Sequence, residues 1–219
     1  MYICSRMKTD YPVAFPVVWT MALLIGSMLC TTTVSCSRHN GSDKTVSFDT
    51  TGLRNGDLLF RNGCGYESHV VTSVSSGDYS HIGIAYHTSS GWCAIHAVPG
   101  EAEKGQPEYL KCEPIAEFYR ADRAQAGAIA RVKCSDSIAD IAAQYALQFV
   151  KRHVVFDNDY NLDDSSQLYC TELVKLVYAR CGVDLCDDRW HKAPIIANGP
   201  VIYPEDIWQS PLLIHQKIF

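Results

Sequence analysis

The chain has 219 residues and carries 19 Lys and Arg against 24 Asp and Glu, a formal charge of −5. A mildly acidic balance with no Lys/Arg cluster argues against nucleic acid as a partner. There is no internal repeat or low-complexity segment, and about 170 residues beyond the N-terminal region suffice for one domain with its own core.

The first 35 residues read as an export signal and are set aside from the fold. Arg6 and Lys8 give a weakly positive start, an apolar run follows from Val13 to Leu29, and small residues lead to Cys36. A permanent membrane anchor is the alternative reading of the same run. Thr33-Val34-Ser35-Cys36 resembles a bacterial lipobox, with Thr33 where such boxes usually carry Leu; on that reading Cys36 is the lipidated residue of an envelope lipoprotein. Residues 36–50 are polar and suit a tether, leaving 51–219 as the folded domain.

Within that domain Asp57–Arg61 reads as a strand and Glu67–Ser75 as a short helix. Two β-rich runs follow, Ser80–His87 and Gly91–Val98, joined by Thr88-Ser89-Ser90. Glu108–Cys112 and Ala126–Lys133 are further strand candidates, with a helical turn at Ile115–Tyr119 between them. Asp136 is placed to cap an amphipathic helix reaching Lys151, with Ile138, Ile141, Ala142, Tyr145 and Phe149 on one face. His153–Leu168 is a polar, acidic loop, Cys170–Cys181 a second helix ended by Gly182, and Leu212–Ile218 an edge strand. Strands first and helices late predict an α+β fold with an antiparallel sheet.

Ten cysteines in an exported chain suggest disulfides. Discounting Cys4, Cys30 and Cys36 leaves seven, so at least one is unpaired, and their spacing gives no zinc pattern. Cys93 and His96 lie three apart on one strand and point to opposite faces, which rejects a metal site there. No metal or cofactor is expected.

The chemistry-bearing residues converge on a hairpin and a helix start. A turn centred on Thr88-Ser89 sets His81 opposite His96, and one centred on Ser89-Ser90 sets His96 opposite Gly83. Any even-length loop leaves both imidazoles on one face. Two histidines meeting on a sheet can form a base and its orienter. Cys170 lies where the polar loop becomes an apolar-periodic helix, and a thiol at a helix N-terminus is expected to have its pKa lowered toward thiolate. The same N–H groups suit an oxyanion. Taken singly, each residue has an ordinary explanation: a buried thiol, a structural histidine, and for Glu172 a helix cap. Their combination carries the weight.

Three stretches, Asn55-Gly56-Asp57-Leu58-Leu59-Phe60, Tyr79-Ser80-His81-Ile82-Gly83-Ile84 and Tyr169-Cys170-Thr171-Glu172-Leu173-Val174, resemble the permuted papain-like amidases of YaeF/YiiX type, relatives of the NlpC-type cell-wall peptidases. In that group the histidine strand precedes the cysteine helix, as here. The resemblance implies a circularly permuted papain-like fold, with an antiparallel sheet or half-barrel packed on the cysteine-bearing helix. It implies Cys170 as nucleophile, His81 as general base and Tyr169 lining the site near the oxyanion. The third member falls at His96, where YiiX-type sequences tend to carry Glu. A Cys-His-His set resembles instead the lecithin:retinol acyltransferase group, and Glu101 is the fallback orienter. The implied activity is hydrolysis of an amide in cell-wall peptides or another acyl-amide substrate. Alternatives are a lipid-directed acyltransferase or thioesterase, and a silent homologue that binds without turnover. Asp157, Asp159, Asp163 and Asp164 lean toward a cationic or polar ligand, although such a run is more often solvated loop.

Overall fold

The computed structural model describes residues 49–187, 189–192 and 199–219. The export signal, Cys36 and nearly all of the tether lie outside the described residues.

An apolar run from Leu58 to Phe60, fully buried on both sides, makes β1 (Leu58–Gly63) a central strand. It is followed by α1 (Tyr66–Ser75), β2 (His81–Thr88) and β3 (Gly91–His96). Next come β4 (Lys111–Pro114), α2 (Ile115–Phe118) and β5 (Ala124–Val132), then α3 (Asp136–Lys151) and α4 (Cys170–Ala179). Two short strands, β6 (His191–Lys192) and β7 (Pro200–Val201), pair with each other, and α5 (Pro204–Trp208) and β8 (Leu213–Ile218) close the chain. Six strands form one antiparallel sheet in the order β4-β3-β2-β1-β5-β8.

Two corrections concern α3. Its N-cap is Ser135, whose hydroxyl accepts from Ile138 N–H, and Asp136 begins the first turn. Its buried face is Ala142, Ala143, Ala146 and Phe149, whereas Ile141 is 45 % exposed. Small alanines let the helix lie close to the sheet, so the contact stripe turns away from the bulkier isoleucines. The strand expected at Glu108–Cys112 runs instead from Lys111 to Pro114. The pair β6–β7 and helix α5 had no counterpart among the expected elements.

One face of the sheet packs on α3 and α4 through Leu58, Phe60, Ile82, Ile84, Ile95, Ala128 and Ala130. The opposite face, under α2, gathers Leu59, Ala85, Ala94, Ile129, Phe118 and Tyr119. The Asn55-Gly56-Asp57 stretch ties the start of β1 to its neighbours. Asn55 donates to Asp140 at 2.6 Å and accepts from His87 N–H at 2.7 Å, and the Tyr178 hydroxyl donates to the Gly56 carbonyl at 2.6 Å. Gly56 sits at φ 86°, and a Cβ there would meet the Ala139 carbonyl oxygen at 2.5 Å, so this contact requires glycine. All seven cysteines among the described residues are free thiols.

Candidate active site

The hairpin register follows the Ser89-Ser90 turn. Thr88 pairs with Gly91 and Ile84 with Ile95, which sets His96 diagonally beyond His81 on the same face. His81 Nε2 and His96 Nδ1 are 2.9 Å apart, and both rings are buried, 6 % and 0 % exposed. Gly83 makes this possible. A Cβ at Gly83 would lie 3.2 Å from the His96 Cβ, 3.1 Å from the Ile95 carbonyl oxygen and 3.4 Å from the Phe118 ring. The Phe118 ring packs on both imidazoles, with centroids 5.6 Å from His81 and 5.0 Å from His96.

Behind His96 stands a residue the sequence did not single out: its Nε2 lies 3.0 Å from Glu113 Oε1. Arg123 donates to both oxygens of Glu113, at 3.2 and 3.1 Å. Glu101, the fallback orienter, bonds to neither imidazole. It pairs with Arg61, Lys111 and Arg123, because the loop after β3 carries it over the cationic side of the cluster. Arg61 is itself buried, donates to the Phe118 carbonyl at 2.9 Å, and holds its guanidinium carbon 4.8 Å from that ring centre.

The nucleophile candidate approaches from the other face. Cys170 is the first residue of α4, and the backbone N–H groups of Ile82, Thr171 and Cys170 itself act on its sulfur to favour the thiolate. Ile82 is the residue after His81, so the sulfur is held against the strand that carries the imidazole. Thr171 donates to the Ile202 carbonyl at 2.6 Å, while the Tyr169 hydroxyl accepts from Ile202 N–H at 3.1 Å. Those two bonds fix the helix start to residues 201–204. Glu172 accepts from Tyr169 N–H at 3.4 Å, acting as a cap. Burial raises its carboxyl to about 8 against the lowering effect of that bond.

Cys170, His81, Tyr169 and Thr171 line one cavity of about 670 Å³. One wall is apolar and aromatic, including Phe156, Tyr160, Val201 and Tyr203, and the other is charged, including Arg61, Glu101, Arg120 and Arg123. Tyr160, also not foreseen, adopts the left-handed region at φ 52°, an uncommon and costly backbone for a bulky residue. Buried Asp157 holds it there by accepting the flanking N–H groups of Asp159 and Asn161 at 2.9 and 2.6 Å. Asp157 is thereby a loop-builder, while Asp159, Asp163 and Asp164 face solvent.

The expectation of a low-pKa thiol is corrected. Burial pushes the Cys170 thiol up to about 11, outweighing the lowering by the three N–H groups and by Arg61. His81 is driven well below its usual range, first by burial and then by the charges of Arg61, His96 and Lys111. Burial lowers His96 as well, against the raising effect of Glu113. Thiol and imidazole therefore rest neutral. Among the described residues no group of three or more His, Cys, Asp or Glu is placed to hold a metal ion.

An antiparallel sheet with the imidazole strand early in the chain and a thiol-bearing helix packed on it late is the permuted form of the papain-like scaffold. The sequence matches the family described as permuted papain-like amidase, YaeF/YiiX, C92, over residues 52–213, and the chain belongs to that family. A solved structure described as the metalloprotein YiiX from Escherichia coli O157:H7 is similar at a TM-score of 0.61 and 18 % identity. The similarity covers 75 % of this chain and 96 % of that one, and it supports the fold. No curated protein sequence matches the chain.

Proposed function

We propose that the chain is a cysteine amidase in which Cys170 attacks the carbonyl carbon of an amide and His81 is the general base. The observation that carries this reading is that Cys170, at the start of α4, and His81, an imidazole bonded to a second imidazole, line the same cavity. Because both groups rest neutral, His81 takes the thiol proton as sulfur attacks, and no preformed ion pair is needed. The N–H groups of Cys170 and Thr171 at the start of α4, which act on the resting sulfur, receive the oxyanion once the sulfur has bonded to carbon. Collapse of the tetrahedral intermediate breaks the C–N bond, and His81 returns its proton to the leaving amine. Water, deprotonated by His81, then releases the acyl group from sulfur.

The charged wall of the cavity supports a peptide amide, and cell-wall fragments are the substrate class proposed first. The apolar wall beside Phe156 and Val201 supports the second reading, an acyl chain delivered to lipid-directed transfer or thioester cleavage. The apolar run before Cys36 supports export with a lipid anchor at the envelope. The test is to incubate the chain with purified peptidoglycan fragments and with a panel of N-acyl amides and lipid esters, following products by mass spectrometry. Cys170→Ala and His81→Ala are each expected to abolish turnover. Full activity of Cys170→Ala on every hydrolysed compound would overturn the assignment.

A further inference from the structure

We propose that Glu113 is a positioning residue that sets the proton positions of two imidazoles in series and so leaves Nδ1 of His81 free to act as the base. The inference rests on the reading of His81 as general base and goes beyond it to a group three links from the sulfur. Its basis is one continuous line of bonded atoms. Glu113 Oε1 lies 3.0 Å from His96 Nε2, and His96 Nδ1 lies 2.9 Å from His81 Nε2.

The charge state of each link fixes the next. A carboxylate can only accept, so Nε2 of His96 carries a proton and donates it to Glu113. A neutral His96 then has a lone pair at Nδ1, which accepts from Nε2–H of His81. A neutral His81 protonated at Nε2 has its lone pair at Nδ1, the remaining ring nitrogen and the one available to a thiol proton. The alternative is a doubly protonated His96. It would donate from Nδ1, force His81 to carry its own proton at Nδ1, and silence the base. Several groups oppose that state. Buried Arg61 on β1 and Lys111 on β4 are cations beside the imidazoles, and a neutral His81 contributes no countercharge. The anions facing His96 are Glu113 and Glu101, and both are already taken up by cations: Glu113 by Arg123, Glu101 by Arg61, Lys111 and Arg123. Arg123 thus lets Glu113 remain an acceptor without drawing a second proton onto His96. Burial by itself would raise the Glu113 carboxyl, but the bond from His96 and the charges of Arg123 and Lys111 hold it down at about 2, so it is ionised throughout the working range.

Long-range ¹H–¹⁵N correlation spectra of the whole chain at pH 7 test this directly, with the two rings assigned through His81→Gln and His96→Gln. Both rings are expected in the neutral Nε2–H form. Glu113→Gln and Glu113→Ala are expected to redistribute the proton on both rings, and Glu113→Asp to restore the wild-type pattern in part. Acylation by p-nitrophenyl acetate supplies the second readout. The acyl-enzyme burst rate should fall about 10- to 100-fold in Glu113→Gln, the range seen when an orienting partner is removed, and recover in Glu113→Asp. Thermal unfolding of each variant separates this from loss of the fold. An Nδ1–H or doubly protonated ring in the wild type overturns the proposal, as does a folded Glu113→Ala with unchanged ring states. A burst that survives in Cys170→Ala would instead overturn the assignment of the nucleophile, leaving the ring measurement to stand by itself.

Discussion

The face of the sheet beneath α3 and α4 is a continuous apolar core, whereas the face beneath α2 holds two imidazoles, Phe118 and a chain of ion pairs. Cys170, the proposed nucleophile, arrives with the first face, and His81, the proposed base, with the second. Both line the cavity at the end of the sheet, where pairing between β2 and β3 stops at Ile84 and Ile95. The apolar side fixes where the helix start sits, and the polar side fixes which atoms carry protons. Stability and reactivity are thus lodged largely on opposite sides of the same strands.

Substitutions can separate the two roles. Phe149→Ala on α3, a 3 % exposed ring with Arg180 4.9 Å from its centre, should cost about 3–5 kcal/mol in denaturant unfolding. It should leave the proton positions on His81 and His96 unchanged in whatever fraction remains folded; altered ring states would show that the faces are coupled. Gly83→Ala should cost less, about 1–3 kcal/mol from overpacking, yet sharply reduce turnover by displacing His96 and Phe118. Activity retained in a folded Gly83→Ala chain would show that the imidazole pair is dispensable.

Acid titration is the mildest probe. Both histidines have folded-state pKa values below the unfolded value of about 6.5, so the unfolded chain binds more protons between those limits. Their effect is to leave stability level above about pH 6.5 and to lower it as pH falls beneath, by up to about 1.4 kcal/mol per pH unit for each ring. Glu113 acts in a separate window. Its depressed pKa contributes stability that is present above about 4.5 and is lost as pH falls toward about 2. Melting temperature against pH should show the first decline in the native chain and not in the His81→Gln/His96→Gln double variant.

The shared face of the two histidines was legible because strand alternation survives a shift of register, and either even loop gave the same answer. The helix start at Cys170 was legible from the polar loop giving way to apolar periodicity. Glu113 was not, since placing it requires the register of β4 across a long connection after His96, and Pro114 makes the strand look finished at Cys112. Tyr160 was hidden in an acidic stretch that composition reads as solvated loop, although an aromatic between Asp157 and Asn161 was the available signal. The thiol pKa went the other way because a helix-terminus argument counts the nearby N–H groups and not the depth of burial. That depth comes in part from β2 and from the segment at Val201 and Ile202, neither of them local to Cys170.

One consequence follows from the bonds between Thr171, Tyr169 and Ile202. His81 is synthesised first, Cys170 89 residues afterwards, and the segment that seats the thiol later still. A chain halted before residue 201 would hold all four groups of the line from sulfur to carboxylate and still lack the brace that aims the sulfur. Contacts of such long sequence separation form late and slowly. The seating of Cys170 therefore waits on a segment made after both His81 and Cys170.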